Sequence, residues 1–256
     1  MKLFCRHYGS GDPLILLHGL FGLSDNWVSF GRQMSGHFEI FIPDIRNHGQ
    51  SPHSPVFDLP SMEEDLMELI EEYHIKNLNL LGHSLGGKIV MLFALHHPEI
   101  VRKLVVVDIG LRKAPPQQGH QQLINAMMQV DFSTAASRTD VDRQLAQAIP
   151  DPRIRQLILK NLYWSDRQTL GWRMNLKAID ENLPAVYESI ESMDSYPGPA
   201  LFIRGGLSGY ISETDVGLIK MKFPGSVVET IRNASHWVHA DTPGEFFKCV
   251  SDFLKG

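Results

Sequence analysis

Short runs of apolar, β-forming residues alternate with amphipathic segments in residues 1–110 and 197–256 of the chain. The apolar runs predict seven strands, at Lys2–Tyr8, Leu14–Leu17, Phe38–Ile42, Leu78–Leu81, Leu104–Val107, Ala200–Ile203 and Val227–Ile231. Helical spacing between them predicts five helices, at Ser24–Met34, Ser61–Tyr73, Gly86–His96, Glu213–Phe223 and Pro243–Leu254. Strands that are apolar throughout are typical of a parallel sheet with helices on both faces. The pattern predicts an α/β fold with a mostly parallel, doubly wound sheet.

The alternation stops between Leu111 and Tyr196. Apolar residues there keep helical spacing, so residues 111–196 are predicted to be a mostly helical lid inserted after the strand that ends at Val107. Residues 1–110 and 197–256 then form the core. Such an insertion leaves the core at the carboxyl ends of the strands, where open α/β sheets bind ligands. In the core, Ser61 and Glu64 form a capping-box pattern that predicts a helix start at Ser61.

One serine lies between two glycines where a predicted strand meets a predicted helix. Residues Gly82–Gly86 read G-H-S-L-G, with the strand Leu78–Leu81 before them and a helix after them. A turn this tight strains the backbone at Ser84 and directs its hydroxyl out of the sheet. The context favours an exposed nucleophile over a glycine-rich connecting turn.

A serine nucleophile needs a base, and the base needs a group that orients it. His236 follows the last predicted strand and reaches the same sheet edge as Ser84, with His239 as the runner-up. A single histidine is often purely structural, so the pairing with the serine turn carries this assignment. Asp108 ends the strand Leu104–Val107 and completes the chain order Ser…Asp…His, although an aspartate there also caps turns.

The loop that follows the strand Leu14–Leu17 contains two glycines, Gly19 and Gly22. Such a loop turns backbone N–H groups toward the site, and the expected oxyanion donors are the amides of Leu20 and Leu85. His18 is expected to hold this loop in place rather than to catalyse.

Composition limits the partners of the chain. Its 256 residues carry a formal charge of −5, with 43% hydrophobic and 21% charged residues. Nucleic acid and anionic membrane surfaces are therefore not expected partners. The expected partner is a small-molecule substrate. No apolar run resembles a signal peptide or a membrane span, so we expect a cytoplasmic protein whose two cysteines, Cys5 and Cys249, are reduced and buried. No metal-ligand spacing or dinucleotide loop occurs, so no cofactor and no metal are expected.

Together these motifs resemble the α/β-hydrolase superfamily over nearly the whole chain. Within it the chain is most similar to the small YbfF-like acyl-ester hydrolases, by Arg46–Pro52 (R-N-H-G-Q-S-P), Gly82–Lys88 (G-H-S-L-G-G-K) and Ser235–Ala240 (S-H-W-V-H-A). The resemblance implies a cofactor-free esterase or thioesterase for substrates with an apolar acyl chain. Four aromatic residues near the motifs and in the insertion are candidates for substrate contact: Phe21, Trp164, Tyr210 and Trp237. Arg46 and His48 are expected to be structural.

The chain departs from the superfamily at the expected position of the acid. Most members carry it in a Gly-x-x-Asp pattern after the next-to-last strand, but here Gly205 is followed three residues later by Ser208. The next carboxylates, Glu213 and Asp215, begin a predicted helix, where acids commonly serve the helix dipole. This favours Asp108 as the acid, with Glu213 as the alternative.

The reaction expected from these residues is acyl transfer through an acyl-enzyme on Ser84. Two other functions stay open: a carbon–carbon bond hydrolase, which uses the same triad, and a ligand-binding protein that keeps the fold without turnover. The sequence sets neither the physiological substrate nor the oligomeric state.

Overall fold

The computed structural model describes residues 1–113, 118–165 and 169–256. Seven strands of the described chain form one sheet in the order β1-β3-β2-β4-β5-β8-β9. Their bounds are β1 Cys5–Gly9, β2 Asp12–Leu17, β3 Phe38–Pro43, β4 Leu78–His83, β5 Val101–Val107, β8 Ala200–Gly205 and β9 Ser226–Ile231. β1 pairs antiparallel with β3, and every other pair is parallel. The predicted fold class is confirmed.

Helices cover both faces of this sheet. The described helices are α1 Val28–Met34, α2 Leu59–Glu72, α3 Leu85–His96, α4 Gln118–Met128, α5 Arg138–Leu145, α6 Pro152–Leu159, α7 Leu176–Tyr187, α8 Glu213–Lys222, α9 Val238–Asp241 and α10 Pro243–Lys255, with a short 3-10 helix at Ser24–Asn26. Alternate residues of β2 point to opposite faces. Ile15 and Leu17 join the core under α2 and α3. Leu14 and Leu16 join the core under α1 and α10.

The capping box predicted at Ser61 is wrong. Helix α2 begins at Leu59, and its N-cap is Asp58, whose carboxylate accepts a hydrogen bond from the Ser61 N–H at 2.9 Å. Pro60 fits the first turn because it needs no N–H partner there. The acidic N-cap therefore starts the helix two residues before the predicted position.

The segment between β5 and β8 contains α4, α5, α6 and α7, and also a short antiparallel pair that was not predicted. Strands β6, Leu162–Trp164, and β7, Leu170–Trp172, form this hairpin. The predicted lid at 111–196 includes residues 114–117 and 166–168, which lie outside the described residues. Its boundaries and its role as a lid stay predictions.

The parallel strands end at one edge, where the loops after β2, β4, β5, β8 and β9 meet. Cys5 and Cys249 are unpaired, and both are half-buried rather than buried as predicted. None of the described helices is long and apolar enough to cross a membrane.

Candidate active site

The turn between β4 and α3 holds Ser84 in an unusual conformation. Ser84 has φ 52° and ψ −116°, a region that costs energy for a residue with a side chain. A Cβ at Gly82 would overlap the Gly86 carbonyl, and a Cβ at Gly86 would lie 2.6 Å from the Leu17 carbonyl oxygen. Both glycines are therefore needed for the turn. Backbone hydrogen bonds fix Ser84 from both sides, with its N–H donating to the Val107 carbonyl and its carbonyl accepting from Lys88.

Asp108 and His236 meet at the same sheet edge. Asp108 follows β5, is fully buried, and has a left-handed backbone with φ 51°. Its Oδ2 lies 2.8 Å from Nδ1 of His236, and its Oδ1 accepts a hydrogen bond from the Gly205 N–H at 2.9 Å. The hydroxyl of Ser208 also donates to Oδ2. Ser208, which stands where most family members carry an aspartate, is thus hydrogen-bonded to Asp108.

Two further side chains fix the His236 residue. The Tyr210 ring stacks on the imidazole with centroids 3.9 Å apart and an angle of 18°. Nε2 of His83 donates to the backbone carbonyl of His236 at 2.9 Å. Burial lowers the pKa of His83 well below its usual range, so His83 is neutral at pH 7. These contacts leave Nε2 of His236 as the nitrogen available to the site.

The loop after β2 is held by two buried histidines. His18 Nε2 accepts from the Ile45 N–H at 3.0 Å, and His48 Nε2 accepts from the Phe21 N–H at 3.2 Å. Burial lowers the pKa of His18 to about 4 and that of His48 to about 3. Both are therefore neutral and can accept these bonds. Among the described residues, the amides of Leu20 and Leu85 donate to no protein acceptor.

Two small cavities adjoin Ser84. One, of about 50 Å³, is lined by Ser84, His236, Phe21 and Trp237 among others. The other, of about 20 Å³, is lined by Ser84 with Leu20, Leu85 and Tyr210 among others. Ser84 and His236 thus share one cavity, although no hydrogen bond joins them among the described residues. Such bonds often tighten only when substrate fills the site.

The structure does not bring Trp164 to either cavity. It is 57% exposed and lines a surface depression with Phe132 and Thr169 instead. Met128, the last residue of α4, is also exposed. The exposure of both residues is set by packing between segments, which helical spacing does not report.

The alternative acid and base lie elsewhere. Glu213 is 85% exposed and pairs with Arg204 at 2.6 Å. Asp215 is held by Arg112 and by the Ser212 N–H. The ring of His239 packs on Trp27, with centroids 4.5 Å apart. Neither the Glu213 nor the Asp215 carboxylate is bonded to His236.

Other predicted candidates are bound to the protein itself. Arg46 forms a buried pair with Asp65 at 2.6 Å, which agrees with its expected structural role. Two arginines of the insertion, Arg153 and Arg155, pair with Asp151 and Asp142 respectively. No group of three or more metal-ligating side chains occurs in residues 1–113, 118–165 and 169–256.

Three residues near Ser84 were not predicted. Lys88, one helical turn after Ser84, is buried, and its Nζ donates to the carbonyls of Tyr187 and Glu188 at the end of α7. His120 of α4 and Tyr187 of α7 line the cavities and bond to each other. Lys88 is part of the Gly82–Lys88 motif, and this is the sequence feature that could have indicated its role. No sequence feature points to His120 or Tyr187.

Comparison with known proteins shows the family to which the chain belongs. Residues 12–134 match the family described as the alpha/beta hydrolase fold. The chain is 38% identical over 252 residues to the sn-1-specific diacylglycerol lipase ABHD11 of Xenopus laevis, covering 96% of this chain and 80% of that protein. The chain belongs to the α/β-hydrolase family. The family resemblance predicted from the motifs is confirmed.

Two further relatives of this α/β-hydrolase are esterases. Esterase YbfF of Escherichia coli (strain K12) is 31% identical over 248 residues, covering 96% of this chain and 94% of that protein. A solved structure described as a marine microorganism esterase is 38% identical, with a TM-score of 0.96 and 99% of both chains covered. These relatives are named for ester hydrolysis, and none of the three is named for carbon–carbon bond hydrolysis or ligand binding.

Proposed function

We propose that this α/β-hydrolase is a serine hydrolase of carboxylic esters that works through an acyl-enzyme on Ser84. The observation that supports this most is the contact of His236 Nδ1 with the buried Asp108 carboxylate at 2.8 Å, in a cavity wall shared with Ser84. With Nδ1–H donating to Asp108, Nε2 is the free base that takes the proton of the Ser84 hydroxyl.

The reaction has two stages. Ser84 Oγ attacks the ester carbonyl while His236 Nε2 takes its proton, and the amides of Leu20 and Leu85 bind the oxyanion. His236 then gives the proton to the departing alcohol, which leaves the acyl group on Ser84. Water, deprotonated by His236, then attacks the acyl carbonyl. The bond between the acyl group and Ser84 Oγ breaks, His236 returns the proton to Oγ, and the carboxylic acid is released. Acyl thioesters present the same carbonyl, and we include them in the proposed substrate class.

We further propose that residues 111–196 act as a lid that sets the size of the substrate. Helices α4 and α7 of this segment contribute His120, Val186 and Tyr187 to the cavities beside Ser84. These cavities hold about 50 and 20 Å³, so the packing of α4 and α7 limits the space open to the ester.

Hydrolysis of butyl butanoate by wild type and Ser84→Ala tests the proposed function. Loss of the nucleophile should lower kcat by about 10⁶-fold, as for other serine triads. Ser226→Ala is the matched control, because Ser226 is a buried serine on β9 that lines neither cavity. It should hydrolyse the ester like wild type. Activity retained by Ser84→Ala, or no hydrolysis of any ester by folded wild type, would contradict the proposal.

A further inference from the structure

His120, near the start of α4, is a polar group beside Ser84 for which the proposed reaction has no use. Its side chain lines both cavities that adjoin Ser84. It therefore faces the space in which the two parts of an ester must lie.

Tyr187 and Phe21 contact the His120 ring, and Lys88 holds Tyr187 in place. Its Nδ1 lies 2.8 Å from the Tyr187 hydroxyl, and the two rings are parallel within 11°. Phe21 meets the ring edge-on at a centroid distance of 5.6 Å. Lys88 holds the backbone carbonyl of Tyr187 at 3.1 Å, which anchors this partner to α3. The imidazole is therefore presented in one orientation.

The protonation of His120 follows from these contacts. Burial, and the neighbouring His236, lower the pKa of His120 to about 4, so the ring is neutral at pH 7. A neutral imidazole has one donor and one acceptor nitrogen. A phenol O–H is the stronger donor of the pair, so Tyr187 donates to Nδ1 and the proton of His120 lies on Nε2. Among the described residues, Nε2 has no hydrogen-bond partner.

The alcohol part of the ester shares a cavity with this N–H. In the proposed reaction His236 protonates the departing alcohol, so that alcohol lies beside His236. His120 and His236 line the same cavity of about 50 Å³. If a CH₂ group of the alcohol faces this N–H, the N–H has no hydrogen-bond acceptor, and binding of the ester is weakened. An oxygen at the same place accepts the hydrogen bond and removes this cost.

We propose that His120 determines specificity by donating a hydrogen bond from Nε2 to a second oxygen on the alcohol part of the ester. The enzyme then favours esters of ether alcohols and polyols over esters of alkanols of the same size. This inference rests on the proposed function, which places the alcohol beside His236.

The test compares two esters that differ by one atom: 2-methoxyethyl butanoate and butyl butanoate, in which a CH₂ replaces the ether oxygen. The ratio of their kcat/KM values, corrected for hydrolysis by hydroxide, is measured for wild type, His120→Phe and His120→Leu. Wild type should favour the ether ester, and both variants should lose about ten-fold of that preference. His96→Phe, on the outer part of α3 and paired with Glu63, is the control and should keep the wild-type ratio.

A general packing defect lowers both rates and leaves the ratio unchanged, so the ratio isolates the hydrogen bond. His120→Leu keeps the test available should His120→Phe fail to fold. An unchanged ratio in the folded variant, with both esters still cleaved in a Ser84-dependent way, overturns this inference alone. Failure of wild type to cleave either ester overturns the proposed function instead.

Discussion

Asp108 and Ser208 lie at the ends of two adjacent strands, β5 and β8, and meet at one oxygen atom. Oδ2 of Asp108 contacts His236 Nδ1 and also accepts the Ser208 hydroxyl. The carboxylate is fully buried, and among the described residues its polar contacts are these two and the Gly205 N–H. The orientation of the His236 ring depends on this arrangement.

Asp108→Asn should lower kcat by about 10⁴-fold with the fold intact. The amide keeps the shape of the side chain, but it neither stabilises an imidazolium nor selects the tautomer with Nδ1 protonated. Initial rates on butyl butanoate, with circular dichroism as the check on folding, measure the effect. A kcat within a few-fold of wild type would show that another group orients His236.

Adding Ser208→Asp to Asp108→Asn should restore roughly ten-fold or more of the lost kcat. The position 208 side chain already reaches the oxygen that holds His236, so a carboxylate there replaces the missing charge. Asp108→Asn with Ser208→Asn is the control, because asparagine has the same size without the charge. Equal rates in the two double variants would count against this geometry.

The residues of the candidate site that could be predicted from sequence are those that follow the ends of strands. Ser84, Asp108 and His236 follow different parallel strands, and such strands end at one edge, so their proximity follows from topology. Their catalytic roles stay predictions. The contact of Ser208 with Asp108 depends on loop conformation, and the exposed position of Trp164 depends on packing within the insertion. Neither leaves a periodic signal in the sequence.

At the scale of elements, the end of α7 is attached to α3 through Lys88. Its buried ammonium donates to the carbonyls of Tyr187 and Glu188, which have no helical N–H partner at a helix end. Burial lowers the pKa of Lys88 to about 8, so the side chain still carries most of its charge at pH 7. One contact thus joins the predicted lid to the helix that follows Ser84.

Lys88→Met should loosen the C-terminal turn of α7. Methionine keeps the length of the side chain but leaves the two carbonyls without a donor. The loss should lower the free energy of unfolding by about 2 kcal/mol. Amide hydrogen exchange of α7 should accelerate, and kcat/KM should fall because Tyr187 and His120 lose their position. Lys177→Met, on the exposed side of the same helix, is the control and should change neither quantity. Unchanged exchange in Lys88→Met would show that α7 is held by packing alone.

The strands and helices predicted in the core all occur, because long periodic or fully apolar runs dominate there, but some of their bounds were misplaced. The predicted strand Lys2–Tyr8 begins three residues before β1, and the predicted strand Leu104–Val107 begins three residues after the start of β5. The predicted strand Phe38–Ile42 differs from β3 by one residue. The hairpin of β6 and β7 was missed because each strand has only three residues, too few to show a period. The start of α2 was misplaced because two acceptable N-caps, Asp58 and Ser61, lie three residues apart.

At the scale of the whole molecule, buried neutral histidines surround the site. Burial lowers the pKa of His18 and His239 to about 4, that of His48 to about 3, and that of His83 well below its usual range. In an unfolded chain each titrates near pH 6.5. At a pH between the lowered pKa of the folded state and pH 6.5, the unfolded state binds more protons than the folded state. Lowering the pH through this range therefore favours unfolding.

The free energy of unfolding should therefore fall as the pH drops from 6.5 toward 4. Each of these histidines contributes up to about 1.4 kcal/mol per pH unit. Urea denaturation at pH 7, 6 and 5 measures the slope. His239→Gln should reduce it, because one titrating group is removed and the Nδ1 of His239 has no partner among the described residues. A free energy of unfolding that stays constant from pH 7 to pH 5 would contradict this account.

The fold class and family were predictable at this scale, because they depend on the order of strands and on motifs at strand ends. The preferred substrate was not, because it depends on how α4 and α7 pack over Ser84, and the sequence does not fix that packing.

In the proposed reaction, Ser84 is the nucleophile that forms the covalent intermediate. Reaction of folded protein with a fluorophosphonate probe, followed by peptide mass spectrometry, tests this most directly. We expect one adduct, located on Ser84, in wild type and in Ser226→Ala, none in Ser84→Ala, and much slower labelling in His236→Gln. A folded wild-type protein that stays unlabelled, or that carries its adduct on another serine, would contradict the account.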